Sequence, residues 1–213
     1  MSVAASDRIA ARLGVAVLLA VAVFAALGAS LQFVRDDLDW VRAPMSAYLR
    51  GPHGAWLVAA YQALAVGLVL LGIAWYRALV PLARSGAPVV LFALGGIGLS
   101  ITALTETDSS NVAPALAMYV HGIAAQTAFL GTTTAMLLQS WRLRFDPRWQ
   151  RDFAWAFSLA SVSFVALWTH ALWRSAPRGL SQKVVIALIV AWLALAAWRL
   201  VASRQRVPGG GSF

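Results

Sequence analysis

Six long apolar runs divide the chain, at 10–34, 54–77, 86–105, 115–140, 152–173 and 179–203, with short polar connections between them. Each run holds the roughly 20 apolar residues that a helix needs to cross the hydrocarbon core of a bilayer. The connections carry charge and turn residues: Arg35 to Gly54, Arg77 to Gly86, Glu106 to Pro114, Trp141 to Asp152, and Arg174 to Gly179. The pattern predicts an all-α polytopic membrane bundle of six transmembrane helices, with no residues to spare for a second soluble domain. The first run follows Arg8 and Arg12 as a signal peptide would. It is too long for a signal core and is expected to be retained. Residues 207–213, ending Gly-Gly-Gly-Ser-Phe, read as a flexible tail.

Composition places the chain in the membrane class: 61% of its 213 residues are hydrophobic and 12% charged, too little charge to cover a soluble domain of this size. The formal net charge of +9 would suggest nucleic acid in a soluble protein. Here the arginines flank the apolar runs, so they are expected to set topology and to meet anionic lipid head groups, with no nucleic-acid partner. Eleven of the 17 basic residues fall on the N-terminus, the second and fourth loops and the C-terminus. Both termini are therefore expected to be cytoplasmic. Lys183 is the only lysine and alanine is abundant. That composition suits a bacterial protein, and with the spans it points to the inner membrane. Trp40, Trp56, Trp75, Trp141, Trp168 and Trp173 sit near span ends as an interfacial belt requires, whereas Trp192 falls mid-span.

Two patterns predict packing rather than chemistry. Gly95, Gly96, Gly98, Ser100 and Thr102 lie within the third run, where small residues allow close helix contact. A nucleotide-binding glycine loop would need a preceding strand. In the fourth run His121, Ala125, Ala128, Thr132, Ala135 and Gln139 recur at helical spacing, a stripe expected to face other helices.

Chemistry is expected at the end away from the termini. All three histidines, His53, His121 and His170, fall there with Asp36, Asp37, Asp39, Ser46, Glu106 and Asp108. Ionisable groups in or near a membrane are costly and tend to mark sites. Each has a plainer account: His53 as a solvated turn residue, Asp36 to Asp39 as a loop edge, Glu106 and Asp108 as the end of a helix, His170 as an interface residue. Two imidazoles and a carboxylate are also ligand types that zinc prefers, which makes Asp108, His121 and His170 a candidate metal set. His121 and His170 are alternatively candidates for axial ligation of haem. Ser46, Asp108 and His121 are candidate catalytic residues, and Arg178, Gln182 and Lys183 candidate substrate-binding residues. Absence of cysteine excludes disulfides, thiolate metal sites and thiol nucleophiles.

Four stretches read together resemble the bacterial membrane family called domain of unknown function 998. They are Met-Ser-Ala-Tyr-Leu-Arg-Gly-Pro-His-Gly-Ala-Trp (45–56), Thr-Glu-Thr-Asp (105–108), Val-His-Gly (120–122) and Gly-Leu-Ser-Gln-Lys (179–183). The resemblance implies a six-helix frame and an outer-face cluster of Ser46, Asp108, His121, Gln182 and Lys183, without an activity. A more distant likeness is to membrane hydrolases of the alkaline-ceramidase and adiponectin-receptor type, which also use Ser, Asp and His. Those have seven spans and histidine spacings that this chain does not reproduce. The function expected first is a non-catalytic or accessory membrane subunit with a polar cluster on its periplasmic face, in contact with lipids and other membrane subunits. A metal-dependent membrane hydrolase acting on a lipid and a haem-binding electron-transfer subunit stay open as alternatives.

Overall fold

The computed structural model describes residues 3–107 and 114–203. Six long helices follow the apolar runs: α1 (Val3–Val34), α2 (Gly54–Ala78), α3 (Gly86–Thr107), α4 (Pro114–Leu143), α5 (Phe153–Leu172) and α6 (Arg178–Ser203). Proline punctuates their starts. Pro88 lies in the first turn of α3, Pro114 opens α4 and Pro177 precedes α6, positions where a missing N–H costs no helical bond. α1 begins two turns earlier than the apolar run because its polar start is tied down. Ser6 Oγ donates to Arg77 O at 2.9 Å, and Asp7 pairs with Arg148 at 3.4 Å.

Five of these helices, α1, α2, α3, α5 and α6, are long and apolar enough to cross a membrane. α4 has 30 residues, ample length, but is not among them. Its composition explains the difference. Gln126, Thr127, three consecutive threonines from Thr132, Gln139 and Ser140 lower its hydropathy. Several of those groups are turned inward or satisfied by their own helix: Thr132, Thr133, Gln139 and Ser140 are buried, and Thr133 and Ser140 donate to carbonyls four residues back.

Each helix packs on its neighbours in chain order, and α6 closes back on α1, so the six form a ring. The tightest seam joins α3 and α4. A side chain on Gly98 would place Cβ 2.6 Å from Ala124 O and 2.7 Å from Ala128 N, and one on Gly95 would meet Thr132 Oγ1 at 2.5 Å. The predicted glycine segment and the Ala128/Thr132 part of the stripe therefore form this contact, backbone against backbone. Ser100 Oγ donates to Gln62 Oε1 at 2.6 Å and links α3 to α2 on the other side.

The tryptophans divide. Trp40, Trp56, Trp141, Trp168 and Trp173 are exposed, as a belt requires. Trp75 is not a belt residue: it is buried, edge-on to Trp149 with ring centres 4.8 Å apart. Trp192, out of place for a belt, is a core residue whose Nε1 donates to Ala156 O at 2.9 Å and ties α6 to α5.

Both helix chain ends, Val3 and Ser203, lie at one end of the bundle with the α2–α3 and α4–α5 connections. This terminal end is laced by charge. Asp146, fully buried, accepts from Val80 N and Arg148 N at 2.9 Å each, and Arg148 reaches on to Ala78 O. Asp152 accepts from Arg199 at 2.7 Å and from Trp155 Nε1 at 3.1 Å, and Arg142 donates to Ala83 O at 2.8 Å.

Candidate ligand site at the histidine end

The opposite end is built by the 35–53 loop folding over the start of α6. Leu180 N donates to Val41 O at 2.8 Å, and Gln182 Oε1 accepts from Met45 N at 2.8 Å. Gly179 is required at this crossing, since a Cβ there would lie 2.8 Å from Arg42 C and closer still to Ala43. Arg35 anchors the other side of the loop, with Nε 2.6 Å and Nη2 2.7 Å from the Asp37 carboxylate and Nη1 donating to Arg50 O. That guanidinium holds the Asp37 carboxyl below its ordinary value, and the carboxylate in turn raises Arg35. Tyr48 is buried beneath the loop, and burial pushes its phenol up.

The folded loop delivers Ser46 to a vestibule lined also by Arg50, Thr105, His121, His170, Arg178 and Gln182. Ser46, His121 and Gln182 belong to a second space as well: an apolar channel that descends between α1, α2, α3, α4 and α6. On α4 the channel runs from His121 through Ala125, Ala128 and Phe129 to Thr132, and on α6 from Gln182 through Ile186 and Ile189 to Leu193. Each path is eleven residue steps, about 16 Å along a helix axis. The channel is narrow, with a free volume of about 80 Å³, room for a slender chain rather than a bulky ligand.

Hydroxyl groups orient both imidazoles. Ser181 Oγ lies 2.9 Å from Pro177 O and 2.7 Å from His170 Nδ1. With the hydroxyl proton on the carbonyl, Nδ1–H donates to Ser181 and His170 Nε2 keeps its lone pair. Thr105 Oγ1 repeats the arrangement more loosely, donating to Ile101 O at 2.8 Å while His121 Nδ1 stands 3.4 Å away. Ser181 thereby fixes the orientation of the His170 ring. Arg178 Nη1 donates to His170 O at 2.7 Å. The charged side chains among the described lining residues are Arg50 and Arg178, both cationic.

Of the sequence candidates, Ser46, His121, His170, Arg178 and Gln182 come together around one opening. Lys183 is turned to the loop instead, its ammonium donating to Trp40 O at 2.5 Å and Ala43 O at 2.9 Å. Asp108 lies outside the described residues, as does the 207–213 tail. Among the described residues no group of three or more His, Asp or Glu side chains is placed to hold a metal. His121 and His170 share the vestibule as the imidazoles available to one. His53 is an exposed turn residue with left-handed backbone at φ 64°. Arg50, Thr105 and Ser181 carry no site signal of their own in the sequence, although all three stand inside the 45–56, 105–108 and 179–183 stretches.

A family model described as "Protein of unknown function (DUF998)" matches residues 5–199, nearly the whole chain. The chain belongs to that family. The match reaches into all six helices and includes every described residue that lines the vestibule. No curated protein and no solved structure matches the chain.

Proposed function

We propose that this protein is a non-catalytic, lipid-binding membrane subunit that draws the chain of an anionic amphiphile into its own helix ring. One observation carries this: the apolar channel and the cationic vestibule share a mouth formed by Ser46, His121 and Gln182. Such a shape suits a molecule with an apolar tail and a charged head. Apolar surface in the channel favours the tail by about 25 cal/mol per Å² removed from water. Arg178 and Arg50 favour an anionic head group, carboxylate or phosphate, and Ser46 and Gln182 supply hydrogen bonds to its neutral oxygens. In this arrangement all six helices cross the bilayer, α4 with its polar stripe towards the channel and α3. The termini face the cytoplasm, and the vestibule opens at the opposite surface.

Titration of the purified protein with a fluorescent single-chain fatty acid tests this. Ala125→Phe, which fills the channel below His121, is expected to weaken binding at least tenfold while the melting temperature stays within a few degrees of wild type. Unchanged binding in that variant would sink the proposal.

A further inference from the structure

The terminal end carries a second cavity, remote from the histidines. It opens between the end of α2 and the start of α3, bordered by the first turns of α1, and has a free volume of about 1000 Å³ with one side open. One wall is apolar: Ile73, Val89 and Val90, the last 58% exposed on the outer face of the ring. The rim is cationic, with Arg77, Arg84 and Arg148.

These arginines are not equivalent. Asp7 is the one carboxylate among the lining residues, and it pairs with Arg148, which also holds the buried Asp146. Arg148 is thus neutralised within the protein. Arg84 is positioned but not neutralised: its Nε donates to Leu79 O at 2.8 Å and its guanidinium stands 5.8 Å from the centre of the Tyr76 ring. Among the described residues no carboxylate pairs with Arg84 or Arg77. Two cations, Arg84 held by Leu79 O and Arg77 beside it, next to an apolar wall that continues along a membrane-spanning face match a ligand with an anionic head and acyl chains. Guanidinium forks suit the oxygens of a phosphate diester, and half-exposed Tyr76 adds an amphipathic ring at the same level.

We propose that this cleft seats an anionic phospholipid from the leaflet on the terminal side. Its phosphate lies between Arg77 and Arg84, and a chain runs along Ile73, Val89 and Val90. A free phosphate ion would share the head-group contacts but gain nothing from the wall.

Thermal unfolding in detergent, with phosphatidylglycerol, phosphatidylcholine or sodium phosphate added at equal concentration, tests the site. Phosphatidylglycerol is expected to raise the melting temperature by several degrees, and the other two additives by much less. Raising sodium chloride is expected to shrink the shift, because exposed charges are screened. Arg77→Gln/Arg84→Gln is expected to lose more than half of the shift. Arg84→Gln alone, at the exposed rim, gives a smaller loss and serves if the double variant fails to fold. Ala125→Phe, which blocks the histidine-end channel, is expected to keep the full shift, so the two sites are read separately. An equal shift with phosphatidylcholine, a shift reproduced by phosphate alone, or an undiminished shift in the arginine variants would overturn the proposal.

Discussion

The two ends of the bundle both carry polar side chains and use them differently. At the terminal end Asp146 and Asp152 are buried, and their oxygens are taken up by backbone N–H groups, arginines and Trp155. These buried carboxylates and their donors close on one another and fix the helix ends, unlike Arg77 and Arg84 at the same end. At the histidine end His170, Gln182 and Arg178 are each bonded on one side and face an open vestibule with the remainder. A buried charge is therefore a poor guide to a site in this molecule. The better guide is a polar group held in place with bonding capacity left over.

That contrast can be broken by substitution, and the largest effect is expected away from both ends, in the α3–α4 seam. Gly98→Leu pushes a side chain into backbone atoms of Ala124 and Ala128 that cannot rotate aside. A loss of about 3 kcal/mol or more is expected in thermal unfolding, the upper end for overpacking. Next comes the terminal end. Asp146→Ala leaves the Val80 and Arg148 backbone N–H groups without their acceptor and removes one of the two carboxylates beside the Arg148 guanidinium, at a cost of about 2–3 kcal/mol. The figure stays below that for a fully buried pair because Arg148 is 41% exposed. His170→Ala, by contrast, is expected to cost under about 1 kcal/mol, the loss of one partly exposed hydrogen bond. Amphiphile affinity is the quantity it should lower. Destabilisation by His170→Ala as large as by Asp146→Ala would erase the distinction between the ends.

The smallest effect concerns pH. Asp37 has its carboxyl lowered in the folded protein by Arg35, so the pair contributes stability above the ordinary carboxylate range near pH ~4. The contribution is lost as pH falls through the lowered value, and hydrogen exchange in the 35–53 loop should quicken there. Asp37→Asn is expected to abolish that acid step. Persistence of the step in the variant would assign it to another group.

Apart from the polar start of α1, the helices were legible in the sequence to within a turn, because long apolar runs leave few alternatives to a membrane helix. The glycine seam was legible for a related reason: small residues at helical spacing have few other uses in a membrane. The site was only partly so. Histidine and serine positions pointed to the end where the vestibule opens, but the channel below it is shaped by ordinary residues such as Leu64, Phe129 and Ile189, which carry no signal of their own. Lys183 and Arg178 look alike on paper, five residues apart, yet the loop crossing at Gly179 takes one into backbone contacts and leaves the other at the vestibule. The roles of Asp146, Arg142 and Arg199 were hidden because charged residues at span ends are expected for topology alone.

Photo-crosslinking with a fatty acid carrying a diazirine at its terminal carbon tests the central claim most directly. With the head held in the vestibule, the label should land on channel residues one to four turns below the mouth, around Leu64 and Leu68 of α2 and Ile189 and Leu193 of α6, and Ala125→Phe should abolish it. Labelling confined to outward-facing residues such as Phe33, Val165 and Leu172, and indifferent to Ala125→Phe, would contradict the account.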